Sequence, residues 1–182
     1  MNKYINKSYQ VLSILFFVGI VVFFIGSLSI MTDLYILSDY QSYLKPEALT
    51  LYNKASELNK NMFDVATFLV VISSFVMFFK LYRKQINMVS FIYLMIIVTL
   101  AAILLGYYVF QTYQLFNLYH STDISWSSNA NQELLRYTEP GDFWLVYATG
   151  STVFGFIISL IYLPITIIKF LKTRRNNVEV LV

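Results

Sequence analysis

The stretch PEALTLYNKASELNKNMFDVATFLVVISSFVMFFKLYR, residues 46–83, decides how the whole chain is read. Pro46 suits the first turn of a helix, because its missing N–H has no helical partner there. No glycine or proline follows it before Arg83. Ala48, Leu51, Ala55, Leu58, Met62, Val65, Leu69, Ile72, Val76 and Phe79 recur at alternating spacings of three and four, which marks one apolar seam along a single helix. The seam runs through two environments. Its first part carries Glu47, Lys54, Glu57 and Lys60, whereas beyond Asp64 no charge appears until Lys80. A helix from Pro46 to Arg83 is about 57 Å long at 1.5 Å per residue, against about 30 Å for the hydrocarbon core of a bilayer. The expectation is one helix that crosses a membrane and leaves some 15 residues, Pro46 to Lys60, standing outside it.

Three further uncharged runs flank this helix: 25 residues from Ser8 to Thr32, 35 from Gln85 to Tyr119, and 26 from Phe143 to Ile168. Each exceeds the ~20 residues needed for a crossing. The charges between the runs are sorted by sign. Lys3, Lys7, Lys80, Arg83, Lys84, Lys169, Lys172, Arg174 and Arg175 fall in three segments with one acid, Glu179. The other two connections hold nine acids and only Lys45, Lys54, Lys60 and Arg136. That asymmetry is the positive-inside pattern of a multi-pass protein. It predicts four spans, at about 9–32, 61–82, 87–110 and 143–168, with both termini cytoplasmic in the plasma membrane.

Composition agrees: 58% of the 182 residues are hydrophobic and 13% charged, where a soluble domain carries about a quarter charged. The net charge of +3 is no signal for nucleic acid, because the bases are confined to the inner face, where they suit anionic lipid headgroups. The lack of cysteine excludes disulfides, thiolate metal sites and thiol redox chemistry. The first run is too long for a signal-peptide core and no A-x-A-like site follows it, so it reads as a retained anchor.

The expected fold is all-α: one domain over residues 1–182, a four-helix transmembrane bundle whose second and third helices extend beyond the outer face. Helix three continues past Gly106 into Gln111, Gln114 and Asn117, three residues apart, beside Leu115 and Leu118. A helix that turns amphipathic only at its outer end has left the lipid there. The short inner turn at Arg83–Asn87 makes helices two and three an antiparallel hairpin, so their outer ends are expected to pack together. With segments 33–60 and 111–142 they would form an outer helical cap, including a short helix around 131–137. Pro140-Gly141-Asp142 reads as a turn, with Asp142 capping helix four. Ser151, Gly155 and Ser159 on helix four, and Ala102 and Gly106 on helix three, are small residues at four-residue spacing that permit close backbone approach. Packing within the bundle is the plainer use of these lines, a homodimer face the sharper one. Pro164 is expected to loosen helix four near its inner end, by depriving the Leu160 carbonyl of its donor.

Little in the sequence carries chemistry. Proton relays and coupled transport need ionisable groups at membrane depth, but helices one, three and four carry no charge across their spans, and Asp64 is the one acid within the span at 61–82. It reads either as a contact for a cation or partner, or as an interfacial acid paired with Lys60 one turn earlier. His120 has Asp123 and Glu133 in its neighbourhood but no metal-ligand spacing. No phosphate loop, H-E-x-x-H or G-x-S-x-G occurs. Neither an enzyme nor a bound cofactor is expected. Tyrosine is more telling: with Trp126 also on the outer half, Tyr40, Tyr43 and Tyr52 are expected above the interfacial belt, either as a small outer core or as a recognition surface.

Four spans with inner termini are also the outline of claudins and tetraspanins, but the outer-loop cysteines that mark those families are missing. The leading expectation is a non-catalytic membrane subunit or assembly partner. It would act on another integral membrane protein, or on itself, through the outer cap and helix four. Two alternatives stand beside it. One is a self-associating channel or small transporter with Asp64, Gln111, Gln114 and Asn117 around an outer vestibule; the other is a binder of lipid or another apolar ligand.

Overall fold

A computed structural model describes residues 2–82, 88–124 and 141–179, with side chains for residues 9–32, 34–35, 37–77, 89–124 and 141–172. These residues are almost entirely helical. Helix α1 spans Asn2–Ser27, and two short helices, α2 (Ile30–Asp33) and α3 (Tyr35–Asp39), follow it. A 3-10 turn at Gln41–Tyr43 then leads to α4 (Pro46–Tyr82), α5 (Met88–Ser121) and α6 (Phe143–Glu179). Four segments are long and apolar enough to cross a membrane: Tyr9–Thr32, Pro46–Met77, Val89–Ser121 and Phe143–Lys172. The expected helix at 131–137 and the inner turn at 83–87 lie outside the described residues.

The four long helices form a ring in the order α1, α4, α5, α6, each packed on its two neighbours. The contacts of α6 with α1 and α5 are the most extensive, and those between α4 and α5 the sparsest. One apolar cluster fills the interior. It runs from Tyr9, Phe16 and Tyr162 through Ile20, Leu69 and Leu105 to Leu34, Leu44, Leu51 and Leu115.

Local sequence explains the element boundaries. The first uncharged run is not one helix to Thr32; it breaks at Leu28–Ser29. Ser27 Oγ donates to the Phe24 carbonyl and Ser29 Oγ to the Gly26 carbonyl, both at 2.6 Å, and such hydroxyls offer the backbone an alternative to the helical ladder. Helix α4 starts at Pro46, with Leu49 N–H bonded to the Lys45 carbonyl at 2.9 Å. Its buried seam is Ala48, Leu51, Ala55, Met62, Ala66, Leu69 and Ser73. The seam therefore leaves the strict repeat and moves from Val65 to Ala66 and from Ile72 to Ser73. A straight helix with 3.6 residues per turn drifts by ~20° per heptad against a 3.5-residue pattern, enough to hand burial to the next residue. Helix α6 continues through Pro164, where Thr166 Oγ1 donates to the Tyr162 carbonyl at 2.9 Å.

Candidate functional site

Among the described residues, Asp39, Glu47, Glu57, Asp123 and Asp142 lie at the end of the bundle formed by the α1–α4 connection, the first turns of α4, the last turns of α5 and the start of α6. There a groove of about 940 Å³ opens between α4 and α5. Lys54, Glu57, Asn61 and Asp64 form its α4 wall, at spacings of three, four and three; Tyr107, Gln111, Gln114 and Ser121 form its α5 wall, at four, three and seven. These spacings return to one face of a helix. Leu58, Val65, Tyr108, Leu115 and Leu118 provide an apolar floor.

Tyr108 explains where the groove begins. Its side chain is 4% exposed, its ring lies 6.0 Å from that of Phe23, and its hydroxyl donates to the Asn61 carbonyl at 3.0 Å. That bond ties α5 to α4. The groove opens between the two helices around this bond. The walls account for this: a helix face made of Lys54, Glu57, Asn61 and Asp64 gains nothing from burial against the amides of α5, since water satisfies both.

The structure brings Asp64, Gln111, Gln114 and Asn117 to one groove. Asp64, Gln114 and Asn117 are exposed and Gln111 is half-buried. Asp64 makes no ion pair with Lys60, consistent with the small gain available to two exposed side chains. Tyr40 is exposed; Tyr43 and Tyr52 are half-buried, with Tyr52 packed against the apolar cluster. Trp126 lies outside the described residues. Lys54, Glu57, Asn61 and Ser121 belong to the site but were passed over in the sequence. The signal was available, because Lys54, Glu57, Asn61 and Asp64 share one α4 stripe.

The small residues lie elsewhere. Gly155 faces Gly19 across the α1–α6 contact, and Gly26 meets Ser151, whose Cβ would be 2.9 Å from a Cβ added at Gly26. Ser159 is buried and donates to the Gly155 carbonyl at 2.8 Å. Ala102 is buried in α5, and Gly106 leaves room for the Phe156 ring of α6. Ser151 and Gly155 of the α6 line thus meet α1, with Leu105 of α5 also against Gly155.

Two exposed side-chain contacts trim the acidic end: the ion pair of Lys45 Nζ with Asp123 at 3.7 Å and the approach of His120 Nε2 to the Asp142 carboxylate at 3.4 Å. His120 thus faces Asp142, and Asp123 turns to Lys45. Asp142 also accepts the first helical bond of α6 through its carbonyl, from Val146 N–H at 2.9 Å.

No protein-family model, curated protein or solved structure matches this chain. The site is read from its own residues. Carboxamides and two carboxylates above an apolar floor can hold a partner by hydrogen bonds and charge; amides neither attack nor shuttle protons.

Proposed function

We propose that this chain is a non-catalytic multi-pass membrane subunit, or an assembly partner, that binds another membrane protein through its acidic end. The observation that carries this reading is the α4–α5 groove: an apolar floor between polar walls, at the least closed helix contact in the ring. The charge sorting supports a plasma-membrane orientation with the acids outside and both termini cytoplasmic. In that orientation α4 and α5 extend beyond the outer face, and Asn61 and Tyr108 lie at its level. Helix α6 contributes less to this reading than its small residues suggested, because α1 covers Ser151 and Gly155. Its outward stripe of Phe154, Ile157, Ile161 and Ile168 suits lipid.

Purification in a gentle detergent from its native membrane tests the proposal. A stoichiometric second membrane protein is expected by mass spectrometry, and a lone monomer overturns the reading.

The shared placement of Asp64, Gln111, Gln114 and Asn117 also favours one rival, a self-associated channel with these residues at its mouth. The interior of the single bundle is filled by side chains such as Val98, Ala101 and Leu105, so any path would have to form between copies. Ion flux through proteoliposomes of the purified protein alone would favour the rival.

A further inference from the structure

The two helix faces that wall the groove continue beyond it toward the basic end. On α4 the stripe Lys54, Glu57, Asn61 and Asp64 continues at the same spacings into Phe68, Val71 and Phe75, which are 49%, 48% and 60% exposed. On α5 the stripe through Tyr107, Gln114 and Ser121 continues into Ile103, Ile96 and Val89, which are 65%, 57% and 61% exposed. The two stripes are thus apolar toward the basic end and polar toward the acidic end, where they flank the trough between α4 and α5.

We propose that this trough seats a single helix of a partner protein, one that crosses the membrane beside α4 and α5 and continues outside with a Lys or Arg opposite Glu57 and Asp64. The inference rests on the subunit role proposed above and specifies its partner.

Three arguments select this occupant. The first is size. The α5 wall from Tyr107 to Ser121 is about 21 Å long at 1.5 Å per residue, and half of a helix that long and about 11 Å wide occupies about 1,000 Å³. The groove holds about 940 Å³.

The second argument excludes a lipid and a second copy. Headgroup layers reach only about 5–8 Å above the hydrocarbon core, so a lipid would leave Gln114 and Ser121 uncovered. A second copy whose two-fold axis passes through the groove would bring concave groove against concave groove. Filling a groove requires a convex element.

The third is charge. Glu57 and Asp64 stand seven residues apart on the α4 wall, against one base, Lys54. An occupant with a cation between them gains pairing in a site it shields from water, and like-charged helices are rejected.

Photo-crosslinking tests the proposal in membranes of the native cells, with p-benzoylphenylalanine placed at Asn61 or Gln114 in the groove and at Ile157 or Ile161 on α6. Positions 61 and 114 should give an adduct with one polypeptide, and positions 157 and 161 none. The cross-linked peptide should belong to a single apolar helix with a flanking Lys or Arg. The double reversal Glu57→Lys with Asp64→Lys should cut adduct and co-purification at least tenfold. Glu47→Lys, on the same helix but outside the groove, should leave both unchanged. Membrane level and thermal midpoint of the reversed variant report its folding. If reversal disrupts folding, Asp64→Asn with Glu57→Gln must weaken capture in its place. A partner that co-purifies but cross-links only from α6 overturns the groove inference and spares the subunit role. Adducts with lipid, with the same chain or with a second copy overturn it as well, as does an adduct indifferent to charge reversal. If no stoichiometric partner exists, both readings fall.

Discussion

A Cβ added to Gly155 of α6 would sit 3.3 Å from the carbonyl oxygen of Gly19 on α1. The same antiparallel contact brings Gly26 to Ser151 at one end and Ser13 to Tyr162 at the other. Backbones that approach this closely gain dispersion contacts and shield each other's polar groups, the main attractions available between helices in lipid. The α1–α6 pair is therefore the spine of the bundle.

Glycine substitutions along α6 and α1 should separate by local space. At Gly26 an added methyl collides with Ser151, so Gly26→Ala should cost about 1–3 kcal/mol, the usual penalty of overpacking. Adding Ser151→Gly should recover most of that loss. At Gly150 nothing lies within 4 Å of an added Cβ, so Gly150→Ala should stabilise by about 0.5–1 kcal/mol through helix propensity. Thermal midpoints in detergent check both, and a destabilised Gly150→Ala or a neutral Gly26→Ala would count against the described α1–α6 contact.

Ser13 Oγ and the Tyr162 hydroxyl share a buried hydrogen bond of 2.7 Å. Tyr162→Phe keeps the ring against Phe16, 5.3 Å away, and removes only the hydroxyl. A double-mutant cycle with Ser13→Ala should give a coupling of about 0.6 kcal/mol, the average for such bonds between membrane helices. Zero coupling would mean that the two hydroxyls have other partners.

Among the described residues Asp64 makes no ion pair. Asp64→Asn should leave the isolated protein's stability within about 0.5 kcal/mol, as for most surface changes. A loss of several kcal/mol would place this carboxylate in the fold instead of in the groove.

The absence of native cysteine makes each introduced cysteine the sole thiol. Asn53 and Lys172 are both exposed. Asn53→Cys should react with a membrane-impermeant maleimide on intact cells, and Lys172→Cys only after permeabilisation. The reverse pattern would invert the proposed topology.

The spans and the long α4 were legible because lengths of uncharged chain and a helical period are local properties. Pro46 opens α4, and Gln111, Gln114 and Asn117 already mark a face of α5 that differs from the lipid-facing rest. What escaped was tertiary. The serines at 27 and 29 look like ordinary span residues until their hydroxyls turn back onto Phe24 and Gly26. Gly19 and Gly26 mark a side of α1, but only the pairing with α6 shows what covers it. The groove depends on how far α4 and α5 stand apart, and neither helix encodes that distance alone.

The Tyr108–Asn61 bond has one further consequence, which is mechanical. Pro46 lies 15 residues beyond Asn61 on an unbroken helix, an arm of about 22 Å. With that bond as fulcrum, a tilt of about 5° swings the tip by about 2 Å over this arm. A rotation of that size at Asn61 is therefore felt at the far end, where Ala48, Leu51 and Ala55 seat the arm against the apolar cluster.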